Sequence, residues 1–272
     1  VLENKLGLPV ALIPSEIELA YHEGRIFDFR KKYLPTNQVK YHCPARFPDE
    51  TIEKIQTEAK QLFSLFKMND CARFDGWLLN DGKIWFSDFN TVSGMEQNSF
   101  LFQQASRAGM SHADLLRYVL KNSCRRQKIS FPLHSKQISK QRKPVHVIFG
   151  GKTSERQVSL MSGTNVWLKL RKSHAYSPKP FLLDSRNNVW ELPYGLILNH
   201  TVEEIVQNAE EAINGERNIE DKVERVKLEL LLDENEATAP FFTPRKISFS
   251  DFSKKSDFVF ICLREHDRNY NI

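Results

Sequence analysis

Residues 73–90 read Arg-Phe-Asp-Gly-Trp-Leu-Leu-Asn-Asp-Gly-Lys-Ile-Trp-Phe-Ser-Asp-Phe-Asn. Two apolar-rich runs flank Asp81-Gly82, a dipeptide whose backbone suits a tight two-residue hairpin. With the loop at Asp81-Gly82, Asn80 faces Lys83, and the pairing counts outward from there. Asp75 then lies opposite Asp88, and Arg73 lies opposite Asn90. Strand side chains alternate, so these four share one face. Carboxylates directly opposite one another repel. A divalent cation, with Arg73 nearby, relieves that repulsion. Asp, Asp and Asn are oxygen ligands of the kind that hold Mg2+ carrying a phosphate substrate. The other face (Phe74, Leu78, Trp85, Phe89) is apolar too, and a sheet apolar on both faces is expected to be buried. Buried carboxylates need partners. The competing reading is a surface hairpin with solvated charges.

The 272 residues carry a net charge of +5, with 40% hydrophobic and 27% charged residues. That balance describes a soluble globular protein of one large domain or two ordinary ones. The mild charge permits acidic partners without demanding nucleic acid. Cys43, Cys71, Cys124 and Cys262 are far apart and form no CxxC pair. They read as structural thiols in a reducing compartment. No apolar run reaches the length of a membrane span. The sequence begins Val1-Leu2-Glu3-Asn4, without an initiator Met, signal peptide or transit peptide. A fragment of a longer polypeptide is the expectation.

Residues 9–20 read as strand. Residues 31–48 carry three prolines and read as a long ordered loop. Helical periodicity follows over 49–67, with Ile52, Ile55, Ala59, Leu62 and Phe66 on one face and Asp49 and Glu50 at its start. Further helices are expected near Phe100–Ala108 and from His112 to about Cys124. The basic stretch 125–143 reads as a solvated linker before it reads as a nucleic-acid site. Its aromatic content, Phe131 alone, supports no stacking platform. Val145 to Phe149 is strand-like and runs into Gly150-Gly151. Ser154 and Gln157 then have capping-box spacing, so a helix should start there. This strand–Gly-Gly–helix unit opens an α/β domain of Rossmann-like type. Strands near Pro180–Leu183 and Phe258–Cys262 and a helix at Val202–Ile213 fit it. Residues 203–236 are dense in Glu and Asp and read as a solvated helical insertion. Gly151-Lys152-Thr153 is not a P-loop, because the required upstream glycine is His146, itself a structural strand residue. GxGxxG is absent.

These residues also carry a resemblance. Phe27-Asp28-Phe29-Arg30-Lys31-Lys32-Tyr33-Leu34, Cys43-Pro44-Ala45, Ala72-Arg73-Phe74-Asp75 and Asp88-Phe89-Asn90-Thr91 … Gly94-Met95 … Ser99 resemble, in order and spacing, the C-terminal catalytic domain of D-alanine–D-alanine ligases of the ATP-grasp superfamily. Gly150 through Gly163 is similar to the opening signature of the same family's N-terminal domain. The implied fold is α/β: an ATP-grasp C-terminal catalytic domain (1–125), a basic linker (126–143), then a truncated Rossmann-like, pre-ATP-grasp N-terminal-type domain (144–272). The family runs in the opposite order, with a central lid domain between. The arrangement resembles a piece of a tandem plant-like protein cut across the junction of two copies.

The resemblance implies an ATP-dependent ligase that joins two D-alanines, or related amino acids, through an acyl phosphate in cell-wall peptidoglycan synthesis. Asp75, Asp88 and Asn90 match the Mg2+ ligands, a role Mn2+ also fills. Arg73 matches the arginine that stabilises the acyl phosphate and tetrahedral species, and Gly94 a backbone contact to that oxyanion. Ser99 and Tyr33 match members of a hydrogen-bonded set that orders the active-site loop. Lys32 matches a contact to ATP phosphate, and Glu155 the acidic residue that holds the first D-alanine's ammonium. Loop 28–44 would be a lid. Asp88 replaces the usual Glu, Ser93 the usual Pro, and Glu96 a small hydroxyl residue. Leu263-Arg264-Glu265-His266-Asp267 stands where a His-Gly…Gly-Glu-Asp-Gly loop is usual. The implied partners are D-alanine and a second ligase copy, in a homodimer or within one chain, with no nucleic acid and no membrane. The implied location is the cytoplasm, or the plastid stroma for a plant parent. Two alternatives stay open: a non-catalytic ligase-like pseudoenzyme, and an ATP-grasp ligase for another amino acid or peptide. The isolated chain is expected to have little or no activity.

Overall fold

The structure is a computed structural model that describes residues 1–19, 39–92, 94–132, 142–214, 220–239, 242–254 and 258–264. The described residues form two compact units. One takes those of 1–132 and 219–240, the other those of 133–218 and 241–272. No helix among the described residues is long and apolar enough to cross a membrane.

The first unit holds three antiparallel strand pairs: β1 (Leu2–Glu3) with β2 (Pro9–Val10), β3 (Glu16–Leu19) with β4 (Val39–His42), and β5 (Arg73–Leu78) with β6 (Ile84–Asn90). The strand expected over 9–20 is thus interrupted. Ala11, Leu12 and Ile13 are buried between its two paired ends without pairing themselves. Helix Asp49–Leu65 starts with Asp49 and Glu50, which favour the positive end of the helix dipole. It buries Ile52, Ala59 and Phe63. Phe63 therefore closes the inward stripe, while Phe66, just past the last turn, stacks on Phe89 with ring centroids 5.3 Å apart. Helix His112–Arg126 opens with a reciprocal capping box between Ser111 and Asp114. Its last residue, Arg126, bridges Glu3 (2.6 Å) and Asp70 (2.7 Å) and so ties the helix end to β1.

The acidic stretch departs from expectation. Helix Glu220–Leu230 belongs to the first unit and buries Lys222, Val226 and Leu230. Those three positions are spaced i, i+4, i+8 and form one stripe. The surrounding Glu and Asp residues mask that stripe in a composition count, which is why a solvated insertion looked adequate.

The second unit is built on a five-stranded sheet ordered β10–β9–β8–β7–β11, where β7 is Lys143–Gly150, β8 Tyr176–Leu183, β9 Val189–Glu191, β10 Arg245–Ile247 and β11 Phe258–Ile261. β7 runs parallel to both neighbours; β9 and β10 add antiparallel strands at one edge. This parallel centre is the expected Rossmann-like arrangement. Ile148, Phe181, Val189 and Phe252 form one buried cluster. His146 is packed between the rings of Phe181 and Phe252, in keeping with a structural role. Ser154 does not cap the following helix. Helix Arg156–Leu170 starts from Glu155 with no side-chain cap. Gln157 instead accepts from Val202 N (3.0 Å) and donates to Glu203 (2.6 Å). It thereby holds the head of helix Val202–Ile213, whose own capping box is Thr201 with Glu204.

Asp184 organises the β8–β9 turn. Its Oδ1 accepts from Arg186 N (2.9 Å) and Asn188 N (2.8 Å); its Oδ2 accepts from Asn188 Nδ2 (2.8 Å) and the Trp190 indole (3.0 Å). Burial pushes its pKa up, but the Trp190 and Asn188 donors outweigh that and hold it below the usual Asp range. Asp184→Ala strands a buried indole N–H and turn amides, so denaturant unfolding should show a loss of about 1–3 kcal/mol. The native carboxylate's contribution is present above the ordinary Asp pKa of about 3.9 and fades as pH falls through the lower folded value. An acid titration of Asp184→Ala should therefore lack that part of the wild-type decline.

Candidate active site on the β5–β6 hairpin

The turn is not the two-residue loop the sequence suggested. Leu79 N donates to Lys83 O (2.8 Å) and Gly82 N donates to Leu79 O (2.9 Å), which leaves a three-residue loop. Gly82 has φ of 76°, the left-handed conformation such loops need at their last position. Asp81 Oδ1 accepts from Lys83 N (3.1 Å) and steadies it. This loop pairs Leu78 with Ile84, Trp77 with Trp85, and Gly76 with Phe86, one residue off the expected register. Ser87 then bulges, and the shift is undone. Asp75 faces Asp88, Phe74 faces Phe89 and Arg73 faces Asn90, as expected. A Cβ at Gly76 would sit 2.6 Å from Trp85 O and 3.1 Å from Phe86 Cα. Only glycine lets the bulged strand come that close.

The offset re-aims the residues between turn and bulge, Ile84 to Phe86. Trp85, expected on the apolar face, lies opposite Trp77 and so shares the face of Asp75 and Asp88. Sequence reasoning missed this aromatic pair beside the carboxylates. The available signal was Gly76, since a glycine inside a strand often marks a bulge. Burial on both faces does not hold either: Trp77 is 45% and Trp85 64% exposed. With two strands among the described residues, the hairpin is nearer the surface reading. It is seated by Lys54, whose ammonium donates to Gly82 O (2.8 Å), and by the Phe66–Phe89 stack.

The four predicted side chains converge. Arg73 Nε lies 3.0 Å from Asp75 Oδ1, close enough for an ion pair though not aligned for a hydrogen bond. Asn90 Nδ2 donates to Asp88 Oδ2 (2.9 Å). The opposed carboxylates are thus compensated locally, one by a guanidinium and one by an amide. The donor set fits a hard divalent cation, because two carboxylates and an amide share one accessible face. Turning the Asn90 amide over would present its oxygen in place of Nδ2.

The other expected residues are spread along the chain. Gly94 follows β6, and the Glu96 carboxylate folds back against it, so that a Cβ at Gly94 would collide with Glu96. Ser99 is the N-cap of helix Phe100–Arg107 yet makes no capping bond. Its hydroxyl is buried with no partner among the described residues. Lys32 and Tyr33 lie outside the described residues, as does most of loop 28–44 and Glu265 to Asp267. Glu155 stands in the second unit, where its carboxylate is 3.9 Å from Arg264. Gly76→Ala should force the Asp75–Asp88 register apart, costing about 1–3 kcal/mol. Denaturant unfolding and hydrogen exchange over β5–β6 check this, with Gly82→Asn as the tolerated control because Asn accepts positive φ.

Comparison with known proteins gives these residues a context. A family model described as D-ala D-ala ligase C-terminus matches residues 4–121, and one described as D-ala D-ala ligase N-terminus matches residues 144–265. The D-alanine–D-alanine ligase of Arthrobacter sp. (strain FB24) is 29% identical over 108 residues, 40% of this chain and 28% of that protein. The ligase of Christiangramia forsetii is 35% identical over 111 residues, 40% of this chain and 31% of that protein. Among solved structures, the D-alanine–D-alanine ligase of Bacillus anthracis complexed with ATP is 26% identical, covers 43% of this chain and 37% of its own, and has a TM-score of 0.35. The chain spans about three-tenths of the length of the curated relatives it matches. The C-terminus match precedes the N-terminus match, and the two take in all but the chain ends and the basic stretch between them. The chain belongs to the D-alanine–D-alanine ligase family, with an ATP-grasp C-terminal domain ahead of an N-terminal-type α/β domain.

Proposed function

We propose that this chain is part of an ATP-dependent ligase that joins two D-alanines, or closely related amino acids, through an acyl phosphate. The observation that carries this reading is the convergence of Arg73, Asp75, Asp88 and Asn90 on one face, inside the segment that the ligase C-terminus model matches. Asp75, Asp88 and Asn90 would hold Mg2+ or Mn2+. When bound, such an ion neutralises phosphate charge and clamps the transferring group. Arg73 offers a guanidinium to the charge that develops on the acyl phosphate and the tetrahedral species. Ser99, whose buried hydroxyl has no partner among the described residues, keeps the part the family resemblance gives it, in the hydrogen-bonded set that orders the active-site loop. Gly94, Tyr33, Lys32 and Glu155 keep the parts that the family resemblance gives them: oxyanion contact, loop ordering, phosphate contact and ammonium recognition. Asp88 is one methylene shorter than Glu and is better placed to serve one metal than to bridge two. The four free cysteines suit a reducing compartment, the cytoplasm or a plastid stroma. A tandem parent in which a second ligase copy completes the site accounts for the order of the two domains.

Glu96 favours a second reading, a ligase-like protein that binds nucleotide without joining amino acids. Its carboxylate rests against Gly94, where the reaction needs donors for an oxyanion. Mg2+-ATP binding without dipeptide formation, in a longer protein containing this chain, selects that reading.

The cation site is testable in the chain as it stands. Mn2+ titrated into the protein with ATP and followed by electron paramagnetic resonance should bind. Asp75→Asn combined with Asp88→Asn should weaken that binding by at least about tenfold, a loss that even outer-shell changes can produce. Equal binding by the double variant removes the metal assignment. A separate assay of D-alanine- and ATP-dependent phosphate release should find little turnover in these residues alone; robust turnover would show that they are catalytically sufficient.

A further inference from the structure

The first unit has a face whose buried polar groups are satisfied by a segment from far along the chain. Tyr118, nearly inaccessible, donates its hydroxyl to Leu230 O at 2.6 Å, and burial pushes its pKa up to about 12. Asn4 Nδ2 donates to Glu229 O (2.8 Å). The buried Asp114 carboxylate, besides capping its own helix, accepts from Thr238 N (3.2 Å) and Thr238 Oγ1 (2.6 Å). Gly109 O accepts from Ala239 N (2.8 Å). Buried Glu236 pairs with Lys5 (2.6 Å) and Lys121 (3.4 Å). Take residues 220–239 away, and two buried donors, a carbonyl and two lysines of this face lose those partners. Buried polar groups are seldom left so, so this is a built binding face.

Helix Asp49–Leu65 contributes a second row of contacts. Asp49 pairs with Lys222 (2.7 Å), Glu53 with Arg225 (3.1 Å) and Lys60 with Glu229 (3.4 Å). The sign reverses along the row, acid-acid-base against base-base-acid, so one register and one direction satisfy all three. Surface pairs such as Glu53–Arg225 and Lys60–Glu229 add little energy but penalise wrong registers. The energy comes from Val226, Leu230 and Ala239, all buried. The same helix seats the β5–β6 hairpin through Lys54 and positions Phe66 for its stack on Phe89.

We propose that residues 220–239 are a docking arm. By sequence the arm lies inside the N-terminus-type match, and it is bound, within the same chain, on a dedicated face of the C-terminus-type unit. It braces the helix that carries the candidate metal hairpin. The surface fits a partner of defined chemistry: a helix with a Lys-Val-Leu stripe, a base-base-acid row, and a trailing Thr-Ala segment that reads backbone and carboxylate. This inference uses the geometry alone and stands apart from the ligase reading.

Hydrogen exchange with mass spectrometry on the full chain tests it. In the wild type, amides of 220–230 should be protected. Leu230→Asp should raise exchange about tenfold or more in 49–65, 73–90 and the arm, while β7 and β8 of the second unit keep their protection. Lys222→Asp should raise exchange in the same segments by a few-fold, and Asp49→Lys added to it should reverse most of that rise. Wild-type arm amides that exchange like a free peptide overturn the proposal. So does a Leu230→Asp effect confined to the arm, or a charge swap that restores nothing.

Discussion

Two carboxylates face each other across the β5–β6 ladder, and the surrounding structure exists to make that bearable. Arg73 stands beside Asp75, and Asn90 donates to Asp88. The opposition itself depends on a bulge at Ser87 cancelling the offset of the three-residue turn. That bulge in turn needs Gly76, and the turn uses Gly82. Each device is small. Gly76 cannot take a side chain without separating the four residues, whereas the turn position needs only a residue that accepts positive φ. Local compensation also means that the hairpin folds with its donors facing one way before any cation arrives. A cation held as proposed would have to displace Arg73 from Asp75 and turn the Asn90 amide over. Freed from Asp75, the guanidinium would then be available to an anionic substrate.

The sequence made the pairing legible for a partly mistaken reason. Counting from a two-residue turn placed Asp75 opposite Asp88, because two one-residue errors cancelled. The same count put Trp85 on the wrong face, because only the residues between turn and bulge feel the offset. Local signals with a single solution, such as the helix from Asp49 and the strand before Gly150, were readable. Signals with competing solutions were not. Ser154 and Gln157 have capping-box spacing, yet Gln157 finds better partners at Val202 and Glu203. Helix Glu220–Leu230 reads as solvated because its buried stripe has only two apolar members, and its partners are up to 225 residues away in sequence.

That distance matters for what the chain order means. In sequence the described arm lies between helix Val202–Ile213 and strands β10 and β11 of the second unit's sheet, yet its partners are Asn4, Tyr118, Asp114 and helix Asp49–Leu65. Residues 220–239 therefore belong in structure to the unit that holds the ligase C-terminus match, although by sequence they lie inside the N-terminus match. The polar groups on that unit's face are answered by an element with opposite charges in matching order. Loss of this element would be felt first by helix Asp49–Leu65, and through Lys54 and Phe66 by the hairpin.

Of the departures near the hairpin, Asp88 changes reach and Glu96 changes charge. Asp88 keeps the negative charge of the usual Glu while shortening its reach. Glu96 adds a carboxylate where a neutral hydroxyl residue is usual, folded against Gly94. Asp75, Asp88 and Glu96 together outnumber Arg73, so this stretch of chain is net acidic. An acidic face attracts divalent cations and repels free phosphate. ATP would thus approach it as the metal complex rather than as the free nucleotide, since charge neutralisation must precede contact. The same excess would oppose an acyl phosphate, and Arg73 is the cation that stands among these carboxylates to offset it. On the proposed ligase reading, binding of metal-nucleotide would be the part of the chemistry best served by this face, and stabilisation of a phosphorylated intermediate would be the part that Glu96 opposes.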